Sequence, residues 1–553
     1  MSADASHGVL GRPQPRIDGH AKVTGRAVYA SDQAVARPAY AYLLTSAIAR
    51  GRILRIDAAA ARAVAGVLDV LTGTIAAGEG ARPPPPAQDE RIHHDGQIIG
   101  VVVAETYETA REAARLVAVD YVAEAPAAGF DSPGAEERVR EQGEHRDYQV
   151  GEAEAALAQG EVHIDGWYET PTQHHNPIEL FTTTCAWDDG RLTIWEPSQF
   201  VYGLRSGVAE QLGMDPEQVR VVSRYVGGES PTLSKMVGSR GAATARTAWI
   251  AVAARRLGRP VKLAATREQG FTIATYRAET RHHLQLAASR DGRLQALRHE
   301  SWELTSRPSN YSVSGTETTA RMYACRNILT KVNIVRADRS TPGFMRAPPE
   351  TPYMFALECA MDELAFALDL DPIELRRRND TLTDPVSGLP YAGRRLIDAF
   401  EQGAERFGWA QRDPRPGSMR EGDWQRGLGC AAAAYPANIA VAAARVRLDP
   451  DGRARVQIAG HDIGTGAYTV VAMVAAGKLG LAPADVEVSM GDSALPPASL
   501  AAGSSHTATI AHAVARACDE LAAKIAAGGT ERPLEAYAEN VPDGLPSDAM
   551  EQL

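Results

Sequence analysis

The sequence predicts a multidomain chain of mixed α/β and α+β type, and three observations carry that expectation. At 553 residues the chain exceeds what one core normally organises. Its 44% hydrophobic and 23% charged content is that of an ordinary globular protein. Short segments with period-two alternation recur between segments of helical period along most of the length.

In order, residues 1–16 read as a loose leader. Residues 17–125 read as a small α/β unit. In it Gly19 and Gly25 mark turns, and strands are expected at Ala27–Ala30, Arg52–Asp57, Val67–Leu71, Gln97–Ala104 and Val117–Val122. A helix is expected over Thr106–Val117, and ARPPPPAQDE reads as an extended surface loop. Residues 126–150, rich in Pro, Gly and charge, read as a linker.

A second unit covers 151–395. Strands are expected at Val162–Thr170, Thr182–Trp187, Leu192–Glu196 and Val219–Val222, and helices at Phe200–Leu212 and Ala242–Leu257. His282–Ala288 and Leu294–Leu304 form a strand pair around the Asp291–Gly292 turn signal. The stretch from Thr341 to Asn379 opens as a turn at Pro342–Gly343. Pro348 and Pro349 then discourage helix, and helical periodicity starts near Tyr353. Its apolar positions are Phe355, Leu357, Cys359, Met361, Leu364, Leu368 and Leu370, with Glu358, Asp362 and Glu363 on a polar side. Arg346 sits in the loop before that helix. It reads equally as a fixed cation at a pocket or an ordinary surface charge.

A third unit covers 396–527. It has a helix at Leu396–Phe407 and strands at Trp424–Ala434, Ala440–Leu448, Ala454–Ala459 and Val486–Gly491. Further helices are expected at Ala467–Leu479 and Thr509–Ala526. Residues 528–553 read as a polar tail without a core pattern.

Composition narrows the function. A net charge of −11 argues against nucleic acid as a partner. The five cysteines, Cys185, Cys325, Cys359, Cys430 and Cys518, are scattered and include no C-x-x-C, which disfavours an iron–sulfur or structural zinc site in this chain. They suit a reducing, cytoplasmic compartment. No apolar run reaches the roughly 18 residues a membrane span needs. Adjacent His174 and His175 point to opposite faces of a strand, so they read as structural, and no side chain is assigned as a metal ligand.

Small-residue loops punctuate the last two units at 224–244, 460–469 and 501–509. Each precedes a helix. Backbone N–H groups at such starts cradle anions, and together the loops point to a large phosphate-bearing cofactor. For any one of them alone, helix capping by Ser and Thr is the better explanation. Neither a P-loop nor a G-x-G-x-x-G fingerprint is present.

Taken in order, these segments resemble the molybdenum-binding large subunit of the xanthine dehydrogenase and aldehyde oxidase family. DGHAKVTGRAVYASD and RIHHDGQIIGVVVAETYETAREAARLVAVD resemble the halves of its hammerhead domain. HHNPIELFTTTCAW resembles its H-N-P-M-E-P segment. EPSQF resembles the segment whose glutamine hydrogen-bonds the molybdenum centre, which points to Gln199. The 341–350 loop resembles the P-x-x-M-R-x-P-G-E turn, which points to Arg346. GHDIGTGAYTVVAMVAAGKLGL and GDSALPPASLAAGSSHTA resemble the cofactor-cradling loops of the last domain. They point to Gly464, Thr465, Gly466, Gly503, Ser504 and Ser505.

The resemblance implies an N-terminal α/β hammerhead domain followed by two elongated α+β molybdenum-cofactor-binding domains, the last incomplete. Two departures from the family pattern stand out. The glycine loop beside the metal is longer: Gly227 and Gly228 fall on its start and Gly238 and Ser239 near its end, with Glu229–Val237 between. The family's G-x-G-E segment, whose glutamate is the catalytic base, has no counterpart here.

The implied activity is a molybdenum hydroxylase oxidising an aldehyde or N-heterocycle with water as the oxygen source. Its cofactor is molybdenum–molybdopterin, with the cytosine dinucleotide form open. Electrons pass to a 2Fe-2S iron–sulfur subunit and an FAD-binding subunit. A further chain supplying the G-x-G-E segment is one expectation. A catalytically inactive remnant or assembly module that keeps the fold is the other.

Overall fold

The computed structural model describes residues 8–73, 90–138, 147–228, 242–528, 533–542, 544 and 550. A seven-stranded mixed sheet joins the N-terminal unit to the next. Its order is Val219–Val222, Arg191–Trp195, Thr182–Asp188, Val261–Ala264, Ala39–Thr45, Ile98–Ala104 and Val67–Thr72. The seam is parallel, with Ala39 opposite Val261. Ile98–Ala104, IIGVVVA, is buried along its whole length because both faces are covered. Val101 and Val103 face Trp249 and Ile250 of the helix Ala242–Leu257, while Ile99 and Val102 face a smaller core with Ile53 and Ala113.

A second sheet runs Glu136–Arg138, Ile328–Ala337, Leu294–Ser306, Thr280–Ala288 and Val162–Thr170. The helix Glu350–Ala367 covers it, with Tyr353, Leu357, Ala360, Met361 and Leu364 buried. A four-stranded sheet, Val486–Ser489, Ala454–Gln457, Ala442–Leu448 and Leu534–Asn540, packs on Ala467–Leu479 and His506–Ala526. Those helices are rich in alanine where they face the sheet, which allows close approach.

Several expectations are corrected. Gly19 does not turn the chain: Gly19–Val23 is a helix, and the strand expected at Ala27–Ala30 is replaced by a 3-10 turn at Ala30–Asp32 that the Asp32 carboxylate ties to Tyr29 N. Of Trp424–Ala434 only Trp424–Gln425 pairs as strand, because the small-residue stretch that follows finds no neighbour and is pinned instead by Ala432 N donating to Glu358 Oε2 at 2.6 Å.

Residues 126–150 are not a free linker, since Glu136–Arg138 and Gln149–Val150 both pair with Ile328–Ala337, itself a strand the sequence reading passed over. The region from 528 is not simply a polar tail: Leu534–Asn540 pairs with Ala442–Leu448 and buries Ala536, Ala538 and Asn540 on alternate positions. Alanine carries that alternation too weakly to read as a strand.

On Glu350–Ala367 the polar side is also redrawn. Phe355 is exposed, while Glu358 is buried against Arg376 Nε at 2.9 Å and Tyr323 Oη at 2.6 Å. The residue 1–16 leader reaches the third unit through Arg16 Nη2, which donates to Gly464 O at 2.7 Å. Most of ARPPPPAQDE lies outside the described residues.

Candidate active site

The chain leaves the strand Arg191–Trp195 into a segment where Glu196, Ser198 and Gln199 are all buried. Glu196 is held by Arg246 Nη2 at 2.6 Å and by the hydroxyls of Thr183 and Thr247 at 2.6 and 2.7 Å. This buried, fully hydrogen-bonded cluster locks the segment to the helix Ala242–Leu257. Three residues on, Gln199 pairs twice with the 498–505 loop: Ala501 N donates to its carbonyl at 3.0 Å, and its Nε2 donates to Ala501 O at 3.1 Å. The Gln199 amide oxygen is buried without a partner.

The 460–466 loop meets the same place. His461 Nε2 accepts from Val201 N at 3.3 Å, at the start of the helix Val201–Leu212. Burial holds the His461 imidazole down to about 3, so it is neutral and its proton sits on Nδ1, a buried donor without a partner. His506 Nε2 accepts from His461 N at 2.9 Å, and burial lowers its pKa to about 4.

Asp462 Oδ1 accepts from Gly464 N at 2.8 Å and Gly466 N at 3.2 Å. Two of the amides expected to hold an anion are thus engaged by the loop's own carboxylate. Thr465, Gly503 and Ser504 are exposed, and Ser505 Oγ donates to Ala502 O at 2.9 Å. The unpaired Gln199 Oε1, His461 Nδ1, Asp462 Oδ2 and Ser499 Oγ lie on the segments that converge here. Buried polar atoms are rarely left unpaired, so this donor and acceptor set fits a large polar cofactor such as molybdopterin.

Gly227 and Gly228 begin the loop at the other side, whereas Gly238 and Ser239, with Glu229, lie outside the described residues. Gly227 N donates to Glu179 Oε2 at 2.5 Å, and Glu179 N donates back to Gly227 O at 3.1 Å. Gly228 has φ +148°, and a Cβ there would lie 2.4 Å from Pro177 Cβ, so only glycine fits.

Burial, with Asp32 adding to it, pushes the Glu179 carboxyl up to about 7 against the bonds from Gly227 and Ala30. A raised carboxyl binds its proton more tightly folded than unfolded. Its contribution is therefore full at pH below the unfolded value and lost as pH rises through about 7. Glu179→Gln should flatten the loss of melting temperature between pH 5 and pH 8. A slope equal to the parent's would refute this.

Arg346 is exposed on a loop fixed from behind. His175 places Nδ1 3.0 Å from Thr275 O and Nε2 2.9 Å from Phe344 O, which gives this histidine the structural role expected. His174 meets Phe271 edge-on and packs at a tilt against Tyr276. The segment 173–179 is thus a hub: its front half holds the Arg346 loop, and its Pro177 and Glu179 hold Gly227 and Gly228. A small open cleft lies along it, lined by His175, Pro177, Leu180 and Phe271 among others. Sequence reasoning missed Glu179 as a clamp, though it stands inside the HNPIE motif.

The aldehyde oxidase and xanthine dehydrogenase a/b hammerhead domain model matches residues 24–125. Molybdopterin cofactor-binding domain models match 135–380 and 402–540. The aldehyde oxidoreductase molybdenum-binding subunit PaoC of Escherichia coli K12 is 35% identical over 525 residues, covering 94% of this chain and 70% of that protein. The chain belongs to the molybdenum-binding subunits of the aldehyde oxidase and xanthine dehydrogenase family.

Within this family of molybdenum-dependent oxidoreductases, the putative xanthine dehydrogenase molybdenum-binding subunit XdhA of E. coli K12 is more distant. It is 27% identical over 522 residues, covering 86% of this chain and 66% of XdhA. The fold matches the aldehyde oxidoreductase of Desulfovibrio gigas, with TM-score 0.83 and 24% identity over 98% of this chain and 64% of that one. It also matches the CO dehydrogenase of Oligotropha carboxidovorans, with TM-score 0.78 and 20% identity over 98% of this chain and 80% of that one. Among the described residues no group of three or more His, Cys, Asp or Glu could hold an ion, and no helix is long and apolar enough to cross a membrane.

Proposed function

We propose that this chain is the molybdopterin-holding subunit of a cytoplasmic molybdenum hydroxylase that oxidises an aldehyde or N-heterocycle with water as the oxygen source. The observation that carries this reading is the convergence of unpaired buried polar atoms, Gln199 Oε1 and His461 Nδ1 foremost, where the 197–201, 460–466 and 498–506 segments meet.

The residues would divide the work. Gln199 is clamped to Ala501 and presents one amide atom to the cofactor. Neutral His461 offers a hydrogen-bond donor. Gly227 and Gly228 let the backbone approach closely, and Gly464, Thr465, Gly466, Gly503, Ser504 and Ser505 border the cofactor's polar end. When bound, the molybdenum–molybdopterin group, as such or as its cytosine dinucleotide, supplies the two-electron redox chemistry. Arg346 orients the substrate carbonyl or ring nitrogen and stabilises negative charge developing on it. A 2Fe-2S subunit and an FAD subunit would be the partners that accept the electrons.

Metal analysis of the chain purified with its neighbouring gene products tests the reading. Stoichiometric molybdenum together with aldehyde- or heterocycle-dependent dye reduction is the expected result. A folded chain that takes up no molybdenum and gains no activity with any partner sinks it and leaves the assembly-module reading standing.

A further inference from the structure

The loop that carries Arg346 has no regular structure of its own, yet one side chain from outside it engages its carbonyls in a row. We infer that Arg277 is the positioning residue for Arg346, a reading that rests on the substrate role proposed for Arg346. Arg277 is 5% exposed and lies on Tyr276–Arg277, which pairs antiparallel with Gln173–His174. Its Nε donates to Gln173 Oε1 at 2.7 Å. Nη1 donates to Ala347 O at 2.8 Å and Pro348 O at 2.9 Å, and Nη2 donates to Arg346 O at 2.5 Å.

One planar guanidinium therefore serves four acceptors in two segments. Carbonyls of three consecutive residues converge on it only because Ala347 adopts φ +51°, a conformation that non-glycine residues seldom hold without support. Pro352 has no N–H, so the Pro348 carbonyl has no donor one helical turn on, whereas Ala347 O also accepts from Thr351 N at 3.2 Å and from Thr351 Oγ1 at 3.0 Å. The helix Glu350–Ala367 starts immediately after, so the Arg277 fork fixes where the Arg346 backbone leaves that helix.

Around this contact His175 meets Phe344 O, and Gly343 N donates to Tyr276 O at 2.9 Å. The loop is thus tied at 343, 344, 346, 347 and 348, and Arg277 makes the ties nearest the functional side chain. Lysine would keep the charge but not the fork: its three donors radiate from one atom and cannot span these acceptors.

The test uses the assembled, molybdenum-loaded enzyme with Arg277→Lys, Arg346→Ala and the double variant, each kcat/KM normalised to molybdenum content. Arg277→Lys should lower kcat/KM by about 100-fold, the scale of an ångström's misplacement. In the Arg346→Ala background it should cost nothing further, because the group it positions is gone. Unchanged kinetics in Arg277→Lys, or a double variant that loses the product of both single effects, overturns the inference.

If Arg346→Ala itself leaves turnover intact, the role of Arg346 fails on its own account. Hydrogen exchange of peptides spanning 342–350 in the unloaded chain then decides for Arg277. Faster exchange in Arg277→Lys supports positioning, and exchange equal to the parent's overturns it. Should that variant fail to fold, Gln173→Ala loosens the same fork from its other end and is read by the same two measurements.

Discussion

Arg346→Ala in the assembled, molybdenum-loaded enzyme should lower kcat/KM for aldehydes about 10²–10³-fold, the scale seen when one donor facing a developing oxyanion is lost. Molybdenum content should stay near that of the parent. The side chain is exposed, and the loop beneath it is bonded through carbonyls that an alanine at 346 keeps. Truncation therefore removes the guanidinium and leaves its scaffold. The informative measurement is the split between metal content and turnover. A parallel fall of both would make Arg346 a cofactor-retention residue. Unchanged kinetics with aldehydes and heterocycles alike would remove it from the site.

The second large effect is on stability. Arg246→Met should destabilise the unloaded chain by about 3–5 kcal/mol, because it strands a buried charge. Glu196 is fully buried, and Arg246 is its cationic partner at 2.6 Å, with the Thr183 and Thr247 hydroxyls as its other side-chain donors among the described residues. The damage should spread to cofactor loading, since Glu196 anchors the turn that ends in Gln199. Adding Glu196→Gln to Arg246→Met should recover much of the loss by removing the stranded charge. Thermal and denaturant unfolding of the single and double variants check this. A single-variant loss below about 1 kcal/mol, the scale of one ordinary hydrogen bond, would show that the two threonines suffice.

Much of the architecture was legible because its signals are local. Ala242–Leu257 and Leu294–Ser306 follow from helical and alternating periods that strong apolar residues carry. The elements misread share a different property. In Leu534–Asn540 the inward residues are two alanines and an asparagine, so the apolar period is present but faint. Gly19–Val23 is a five-residue helix, too short to announce itself, and its glycine suggested a turn. Ile328–Ala337 runs parallel to Leu294–Ser306, a pairing fixed by contacts far apart in sequence.

The site divides in the same way. The motifs of the chain pointed to Gln199, Arg346 and the glycine loops, since a motif records chemistry at fixed local spacing. They also implied that the Gly464 and Gly466 amides were free for an anion, and the fold engages both with Asp462. Glu179, His461 and Arg277 acquire their roles only through partners elsewhere in the chain: Gly227, Val201 and the carbonyls of 346–348.

The sequence by itself determined the unit order and most helices and strands, because these rest on period and local composition, and its motifs named the segments proposed to carry cofactor and substrate chemistry. Only the tertiary structure decided which polar atoms are left unpaired, which carboxyl is raised by burial, and which arginine holds the loop of another. Those properties depend on desolvation and on distance in space, and no spacing along a chain encodes either.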